Sequence, residues 1–200
     1  MIDLDKSLFN ISIDTPLPHI GSMLVAEPFL REQYFNHAVI CLIDYFPGKS
    51  AMGVVMNKPS GYKLDELISN IQPTEGIEVY CGGPVSCDRL FYLHCIPQFI
   101  GKSTKIADGL YIGGDFDDVI DYINEGLPIE NNIRFFVGYS GWDAGQLDDE
   151  LRSHVWATTD IPQGFNALSG HEDPYWHNVV KSLGHRYNGW RYQPMNPSDN

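Results

Sequence analysis

Short apolar runs separated only by turns place the strongest constraint on how this chain folds. Residues 21–28, 37–46 and 51–57 have the composition of strands, and proline or glycine closes each run. Consecutive antiparallel strands need only a tight turn between them, whereas parallel strands need a long crossover, usually a helix. The order therefore favours an α+β fold with a mixed, mostly antiparallel sheet over a doubly wound parallel sheet.

Further strands are predicted along the rest of the chain, where apolar runs lie between turn residues. They fall at 77–81, 90–96, 104–107, 109–112, 133–139 and 155–159. The total is roughly seven or eight strands, because the runs at 104–107 and 109–112 are weak. Several runs are apolar on both faces, so either helices cover the sheet or the sheet curls on itself.

Apolar residues at helical spacing predict about four helices that flank the sheet. The repeating positions are Leu64, Leu67, Ile68 and Ile71; Phe116, Val119, Ile120 and Ile123; Leu147 and Leu151; and Trp176, Val179, Val180 and Leu183. Asp115 is the predicted N-cap of the second helix and Gly126 its stop. The fourth helix is predicted to have Asp173 as its N-cap, Pro174 as its first residue and Gly184 as its stop.

The length of the chain, 200 residues, suits one domain. We predict a single domain over residues 1–187, which includes an N-terminal arm at 1–20 without clear periodicity. Residues 188–200 are rich in proline and asparagine and are predicted to form an irregular C-terminal tail.

The charge balance excludes some classes of function. The formal net charge is -13, and the 13 lysines and arginines are scattered singly, so direct nucleic-acid binding and adhesion to anionic membranes are disfavoured. The first residues do not resemble a secretory signal, and no run reaches the roughly 18 apolar residues of a membrane helix. The four cysteines form no CxxC pair, so we expect an acidic cytoplasmic protein with reduced thiols.

Four blocks of sequence, taken in order, carry a family resemblance. They occupy residues 21–45, 51–61, 80–94 and 134–151. Together they resemble the AlgH/YqgE family of bacterial proteins, and residues 173–187 are similar to the C-terminal helix of that family. The resemblance implies a bifurcated sheet rolled into a pseudo-barrel and flanked by helices. It also implies a proposed role in transcriptional regulation, without established catalytic residues.

Two glycine-rich segments are the best candidates for a ligand cleft. The first, GGPV at 82–85, follows a strand, and the second, GYSGW at 138–142, is predicted to be a loop that leads into a helix. The candidate ligand-binding residues are Asn57, Lys58, Gly82, Gly83, Tyr139, Gly141, Trp142 and Gln146. If these residues lie far apart in the fold, folding alone explains their types.

Each candidate also has a purely structural explanation. The glycine pair at 82–83 suits a tight turn, and no GxGxxG or Walker lysine accompanies it. Asp143 and Gln146 have the spacing of a capping box, in which Asp143 would be the N-cap of the third helix. Trp142 could stack on a ligand ring, but it is equally suited to the core.

Metal and thiol chemistry have little support in the sequence. His171, Glu172, Asp173 and His177 are close in sequence but match no HExxH or CxxC spacing, so neither a metal site nor a cofactor is predicted. Cys81 and Cys87 flank the GGPV segment, and either could be a nucleophile or an inert thiol.

Three functions remain open on these residues. The first is a binding or regulatory module for a small molecule or a protein, with a cleft near the GGPV and GYSGW segments. The second is an enzyme of hydrolase or transferase type that uses Asn57, Gln146, Glu150 or a flanking cysteine. The third is a regulator of transcription that acts through a protein partner rather than by binding DNA.

Overall fold

A computed structural model describes residues 16–32, 34–71 and 76–193 of the chain. These residues form ten strands and four α-helices. The strands are β1 (Met23–Ala26), β2 (Val39–Tyr45), β3 (Ala51–Val55), β4 (Pro59–Lys63), β5 (Glu78–Cys81), β6 (Val85–His94), β7 (Thr104–Ala107), β8 (Leu110–Ile112), β9 (Ile133–Trp142) and β10 (Trp156–Thr159). The helices are α1 (Leu64–Leu67), α2 (Phe116–Asn124), α3 (Gln146–Arg152) and α4 (Glu172–Val180), with two 3-10 helices after α4 (Lys181–Leu183 and His185–Tyr192).

The strands form one mixed sheet in the order β10-β1-β2-β3-β9-β6-β8-β7. All neighbours along this path are antiparallel. Strand β5 lies off the path and pairs in parallel with β9, while β4 pairs antiparallel with β5. The predicted α+β class with a curled, mostly antiparallel sheet is confirmed.

The sheet divides at β9, which has different partners along its two edges. One edge pairs with β6 over nearly its whole length, from Ile133 to Tyr139. The other edge pairs with β5 through Phe135 and its neighbours, and then with β3 from Ser140 to Trp142. Strand β9 therefore joins the two halves of the sheet.

Close contact between main chains makes this division possible. Gly83 has a φ of +150° and Gly138 a φ of +68°, values that residues with a Cβ rarely adopt. A Cβ added to Gly138 would lie 2.5 Å from the carbonyl oxygen of Gly83. A Cβ added to Gly82 would lie 2.3 Å from the carbonyl oxygen of Gly138. Only glycine fits at these three positions, so the two glycine-rich segments pack directly against each other.

Both faces of the central strands are buried. Alternate residues of β1 point in opposite directions, so Met23 packs in the cluster of α4, and Leu24 packs in the cluster of α3. Helix α4 contributes Trp176 to the first cluster, and α3 contributes Leu147 to the second. A third cluster places Phe135 of β9 with residues of α2. Helices therefore cover the runs that are apolar on both faces, and the sheet also curls, so both predicted arrangements occur.

Of the three predicted N-caps, Asp115, Asp143 and Asp173, one is confirmed. Asp115 is the N-cap of α2, and its side chain accepts a hydrogen bond from the Asp117 amide, as predicted. Helix α3 begins at Gln146 after a left-handed Gly145, so the prediction of Asp143 as its N-cap is wrong. The turn before α3 instead uses the Asp143 carbonyl, which accepts from the Gln146 amide.

The start of α4 also differs from the prediction. The helix begins at Glu172 with His171 as its N-cap, two residues before the predicted cap at Asp173. The Asp173 carboxylate hydrogen-bonds to His37 and His177, so it does not cap the helix. The α-helix ends at Val180, and a 3-10 turn continues to Leu183.

The two ends of the chain are only partly described. The predicted arm at 1–20 is described from Pro16, and the rest of it lies outside the described residues. The tail at 188–200 was predicted to be irregular, but the 3-10 helix His185–Tyr192 extends into it. Trp190 of this helix stacks on Trp176, with ring centroids 6.4 Å apart. No helix in the described part of the chain is long and apolar enough to cross a membrane.

Replacing Gly138 by alanine should destabilise the protein strongly. The left-handed conformation costs an L-residue about 1–2 kcal/mol, and crowding of the new Cβ against Gly83 costs about 1–3 kcal/mol more. We expect the free energy of unfolding, measured by urea denaturation, to fall by about 2–5 kcal/mol.

Gly109→Ala provides the matched control. Gly109 has a φ of +69°, but a Cβ there would meet nothing within 4 Å. This variant should lose only the conformational part, about 1–2 kcal/mol. Equal losses in the Gly138 and Gly109 variants would show that the main-chain contact is not tight.

Candidate functional site

The two glycine-rich segments meet, but they are not the free loops that the sequence predicts. Residues 138–142 belong to β9, and Val85 begins β6 and pairs with Tyr139. The strand predicted at 133–139 is confirmed and continues to Trp142. The prediction of a loop at 138–142 is therefore wrong, because this segment pairs with β6 on one edge and β3 on the other. What remains open to solvent beside the segments is a pair of separate depressions.

The larger depression opens at the point where the sheet divides, and we call it the Lys58 cleft. Its volume is about 600 Å³, which lies in the usual range for small-molecule sites. Its apolar walls come from Tyr34, Val55, Pro59, Tyr62, Leu67 and Val137. Its polar lining comes from Lys58, Ser60, Cys81 and Cys87, with Gly83 beside them.

Lys58 gives this cleft a positive charge. The residue is half-buried in the link between β3 and β4, and it has no ion pair among the residues that the structure describes. Burial lowers the pKa of Lys58 from its ordinary value, and the charges of Asp173 and Glu172 oppose this shift. An anionic group in the cleft could therefore approach an ammonium that no carboxylate contacts directly.

The two thiols of the cleft flank one carbonyl group. Cys87 Sγ lies 3.7 Å from the carbonyl oxygen of Gly83, and Cys81 Sγ lies 4.0 Å from the same oxygen. Burial raises the pKa of the Cys81 thiol. Within the described chain, the hydrogen bonds of both thiols go to main-chain carbonyls, so no side-chain base is positioned to take a proton from either.

The smaller depression has a volume of about 440 Å³, and we call it the Trp142 depression. Four of the candidate residues line it: Tyr139, Gly141, Trp142 and Gln146. It shares no lining residue with the Lys58 cleft. The candidate residues therefore divide between two sites, with Lys58 and Gly83 at the larger one.

Asn57 and Gly82 line neither depression. The Asn57 side chain is buried, where its oxygen accepts from the Val39 amide at 2.9 Å. Its nitrogen donates to the carbonyls of His37 at 2.8 Å and Glu172 at 2.9 Å. These bonds join β2 to the start of α4, so Asn57 has a structural role in this fold. Gly82 is buried and packs against Gly138 of β9.

A hydrogen-bond network beside the Trp142 depression involves two polar side chains of the third helix, Gln146 and Glu150. One oxygen of Glu150 accepts from the indole nitrogens of both Trp142, at 2.8 Å, and Trp156, at 2.7 Å. The other oxygen accepts from the Gln146 amide at 2.8 Å. Gln146 in turn accepts from the Asp143 main chain at 3.0 Å, which is half of the predicted capping box. Both carboxylate oxygens of Glu150 are thus engaged in the fold.

The structure also assembles three side chains that sequence reasoning did not combine. His37, Asp173 and His177 each offer a ligand atom, and these atoms lie within 4.8 Å of one another. Asp173 and His177 are four residues apart on α4, but His37 is 136 residues from Asp173. No local spacing could have predicted this meeting, which depends on how α4 packs against the segment before β2.

Burial and neighbouring charges shift the pKa of the His37 ring. It is fully buried and stacks on Trp176, with ring centroids 3.9 Å apart. Burial lowers the pKa of His37, and the neighbouring Asp173 carboxylate opposes this shift. The positive charges of His177 and Lys58 add to the lowering.

A family model and two relatives match most or all of this chain. A family model described as DUF179, AlgH-like, matches residues 23–188. The chain is 35% identical to a UPF0301 protein of Bacteroides thetaiotaomicron, with 100% of both chains covered. It is 39% identical to a UPF0301 protein of Parabacteroides distasonis, with 96% of each covered.

Two solved structures have a similar fold. The solution structure of the AlgH protein from Pseudomonas aeruginosa aligns with a TM-score of 0.68 and 26% identity, covering 90% of this chain and 96% of that one. A crystal structure of a Corynebacterium diphtheriae protein aligns with a TM-score of 0.72, covering 95% of this chain and 99% of that one. The second match is 21% identical and shows the fold alone.

Removing the Glu150 carboxylate should destabilise the protein, because the indole N–H groups of Trp142 and Trp156 would lose their shared acceptor. Each buried donor left without a partner costs about 1–3 kcal/mol, so we expect Glu150→Ala to lower the free energy of unfolding by about 2–4 kcal/mol. The near-UV circular dichroism of the tryptophans should change as well.

Asp149→Ala is the matched control on the same helix. The Asp149 carboxylate is exposed and pairs with Arg152, a surface contact worth about 0–1 kcal/mol. An Asp149 variant that loses as much stability as the Glu150 variant would contradict the role assigned to the indole contacts.

Proposed function

The chain belongs to the AlgH-like family, and we propose that it is a binding or regulatory module whose ligand occupies the Lys58 cleft. The proposed ligand is a small amphipathic anion, with an apolar body and one acidic group. A cleft of about 600 Å³ can accommodate a molecule of that size.

The observation that carries this proposal is the half-buried ammonium of Lys58 in a cleft with mainly apolar walls. Aromatic rings of Tyr34 and Tyr62 and the side chain of Leu67 supply surface for an apolar ligand body. The ammonium supplies a charge-assisted contact for an acidic group, and its partial burial makes that contact stronger than it would be in water. The protein as a whole has a charge of -13, so this cleft offers a local exception to an acidic surface.

A binding role accounts for the site better than a hydrolase or transferase role does. Hydrogen bonds within the fold already engage the side chains of Asn57, Gln146 and Glu150. Cys81 and Cys87 have only main-chain carbonyls as hydrogen-bond partners within the described residues. Covalent catalysis of either type needs an activated side-chain nucleophile, and the contacts of these side chains do not supply one.

A regulatory effect on gene expression would act through a protein partner rather than through direct contact with nucleic acid. A net charge of -13 opposes binding to a phosphate backbone.

The cysteines Cys41, Cys81, Cys87 and Cys95 are unpaired, which suits a reducing compartment, and we propose the cytoplasm as the location.

The proposal predicts that the fluorescent anion anilinonaphthalene sulfonate binds the folded protein in the Lys58 cleft. It has an aromatic body and one sulfonate, so it represents the proposed ligand class. We expect Lys58→Met to weaken its binding by about tenfold, because a contact with a charged group is worth about 1.5–3 kcal/mol. Fluorescence titration measures the affinity, and amide chemical shifts locate the site.

Lys102→Met is the control, because Lys102 is exposed and pairs with Asp115 away from the cleft lining. This variant removes the same charge and should bind the probe as the wild type does. Amide shifts at Lys58, Cys81 and Gly83 would support the proposal. Shifts confined to other regions, or equal affinities in both variants, would overturn it.

A further inference from the structure

We infer that His37, Asp173 and His177 form a binding site for a late first-row divalent cation, with Zn²⁺ as the best match. None of these three residues lines the proposed ligand cleft, and the sequence alone did not predict the site. Two imidazoles and one carboxylate are a donor set that zinc and its neighbours accept readily. Three protein ligands would leave a further position for water.

The three donors already surround a common point. His37 Nδ1 contacts one oxygen of Asp173, and His177 Nε2 lies 3.1 Å from the other oxygen. The carboxylate therefore lies between two ring nitrogens, where a cation would replace the hydrogen bonds. The ligand atoms lie within 4.8 Å of one another, so small rotations of the side chains would bring them to coordination distance.

The fold holds these donors in place. Asp173 and His177 are at positions i and i+4 of α4, which puts both side chains on one face of the helix. His37 stacks on Trp176 with an angle of 8° between the rings, and its carbonyl accepts from Asn57. Coordination would therefore require little further ordering of His37, which reduces the entropic cost of binding.

The surroundings of the two His37 ring nitrogens show which of them would bind the ion. Nε2 is buried and has no hydrogen-bond partner among the described residues. The one polar contact of this ring thus goes to Asp173, although burial of an unpartnered ring nitrogen is costly. Nδ1 is therefore the nitrogen that would coordinate the ion, because it is the one that faces the Asp173 carboxylate.

Solvent access and nearby charges determine how tightly this site would hold an ion. The side chains of Asp173 and His177 are 31% and 27% exposed, so an ion can reach them from solvent. The Lys58 ammonium is close enough to influence His37 and opposes a cation, whereas the Glu172 carboxylate favours one. We therefore expect an exchangeable ion of moderate affinity rather than a closed structural site.

The test is binding of Zn²⁺ and Co²⁺ to the full chain without a polyhistidine tag. We expect one ion per chain by calorimetry with Zn²⁺, and a visible ligand-field absorption with Co²⁺ that Zn²⁺ abolishes. His177→Asn and Asp173→Asn should each weaken Zn²⁺ binding by more than about tenfold, since even outer contacts of a metal site are worth that much. His185→Asn, which removes an exposed histidine outside the cluster, should leave the affinity unchanged.

A second measurement uses only the wild-type protein, so its result does not depend on whether the variants fold. Co²⁺ should broaden or shift the imidazole resonances of His37 and His177 in the wild-type protein far more than those of His185. Saturable binding with these shifts supports the site. Absence of binding, binding that both cluster variants retain at full strength, or broadening centred on other histidines would overturn it.

Discussion

Between Gly83 and Gly138 the main chains lie in direct contact, and no side chain separates them. A Cβ at Gly138 would come within 2.5 Å of the Gly83 carbonyl oxygen, so any larger residue would force the strands apart. This contact lets β9 pair first with β5 and then with β3 along one edge, while β6 occupies the other. The Lys58 cleft and the Trp142 depression both open beside this division, since Val137 lines the former and Tyr139 lines the latter.

Buried polar groups hold distant segments against the divided sheet. The Arg134 guanidinium of β9 donates to the carbonyls of Met56, Leu168 and Gly170, and it lies 4.2 Å from the centre of the Tyr80 ring. Burial lowers the pKa of Arg134, and main-chain carbonyls satisfy its donors in place of a carboxylate. Like Asn57, Arg134 connects the sheet to the residues that lead into α4, and α4 carries two members of the proposed metal site.

Local patterns predicted the elements correctly where local and tertiary preferences agree. Asp115 caps α2 as predicted, because that bond forms within three residues of the helix start. The predictions failed where a distant partner competes for the same group. Asp173 does not cap α4 because His37 and His177 take its carboxylate, and 138–142 is a strand because β3 and β6 pair with it. Strand β4 was not predicted because Pro59 and Gly61 within it are typical of turns.

The sequence by itself determined the α+β class, the alternation of apolar runs and turns, the acidic charge and the family. These properties follow from periodicity, composition and motifs that are read over short stretches. Only the tertiary structure decided that the candidate residues divide between two depressions, that Asn57 is structural, and that His37 meets Asp173 across 136 residues. Such meetings depend on strand order, register and helix packing, which arise from contacts between distant segments that no local pattern encodes.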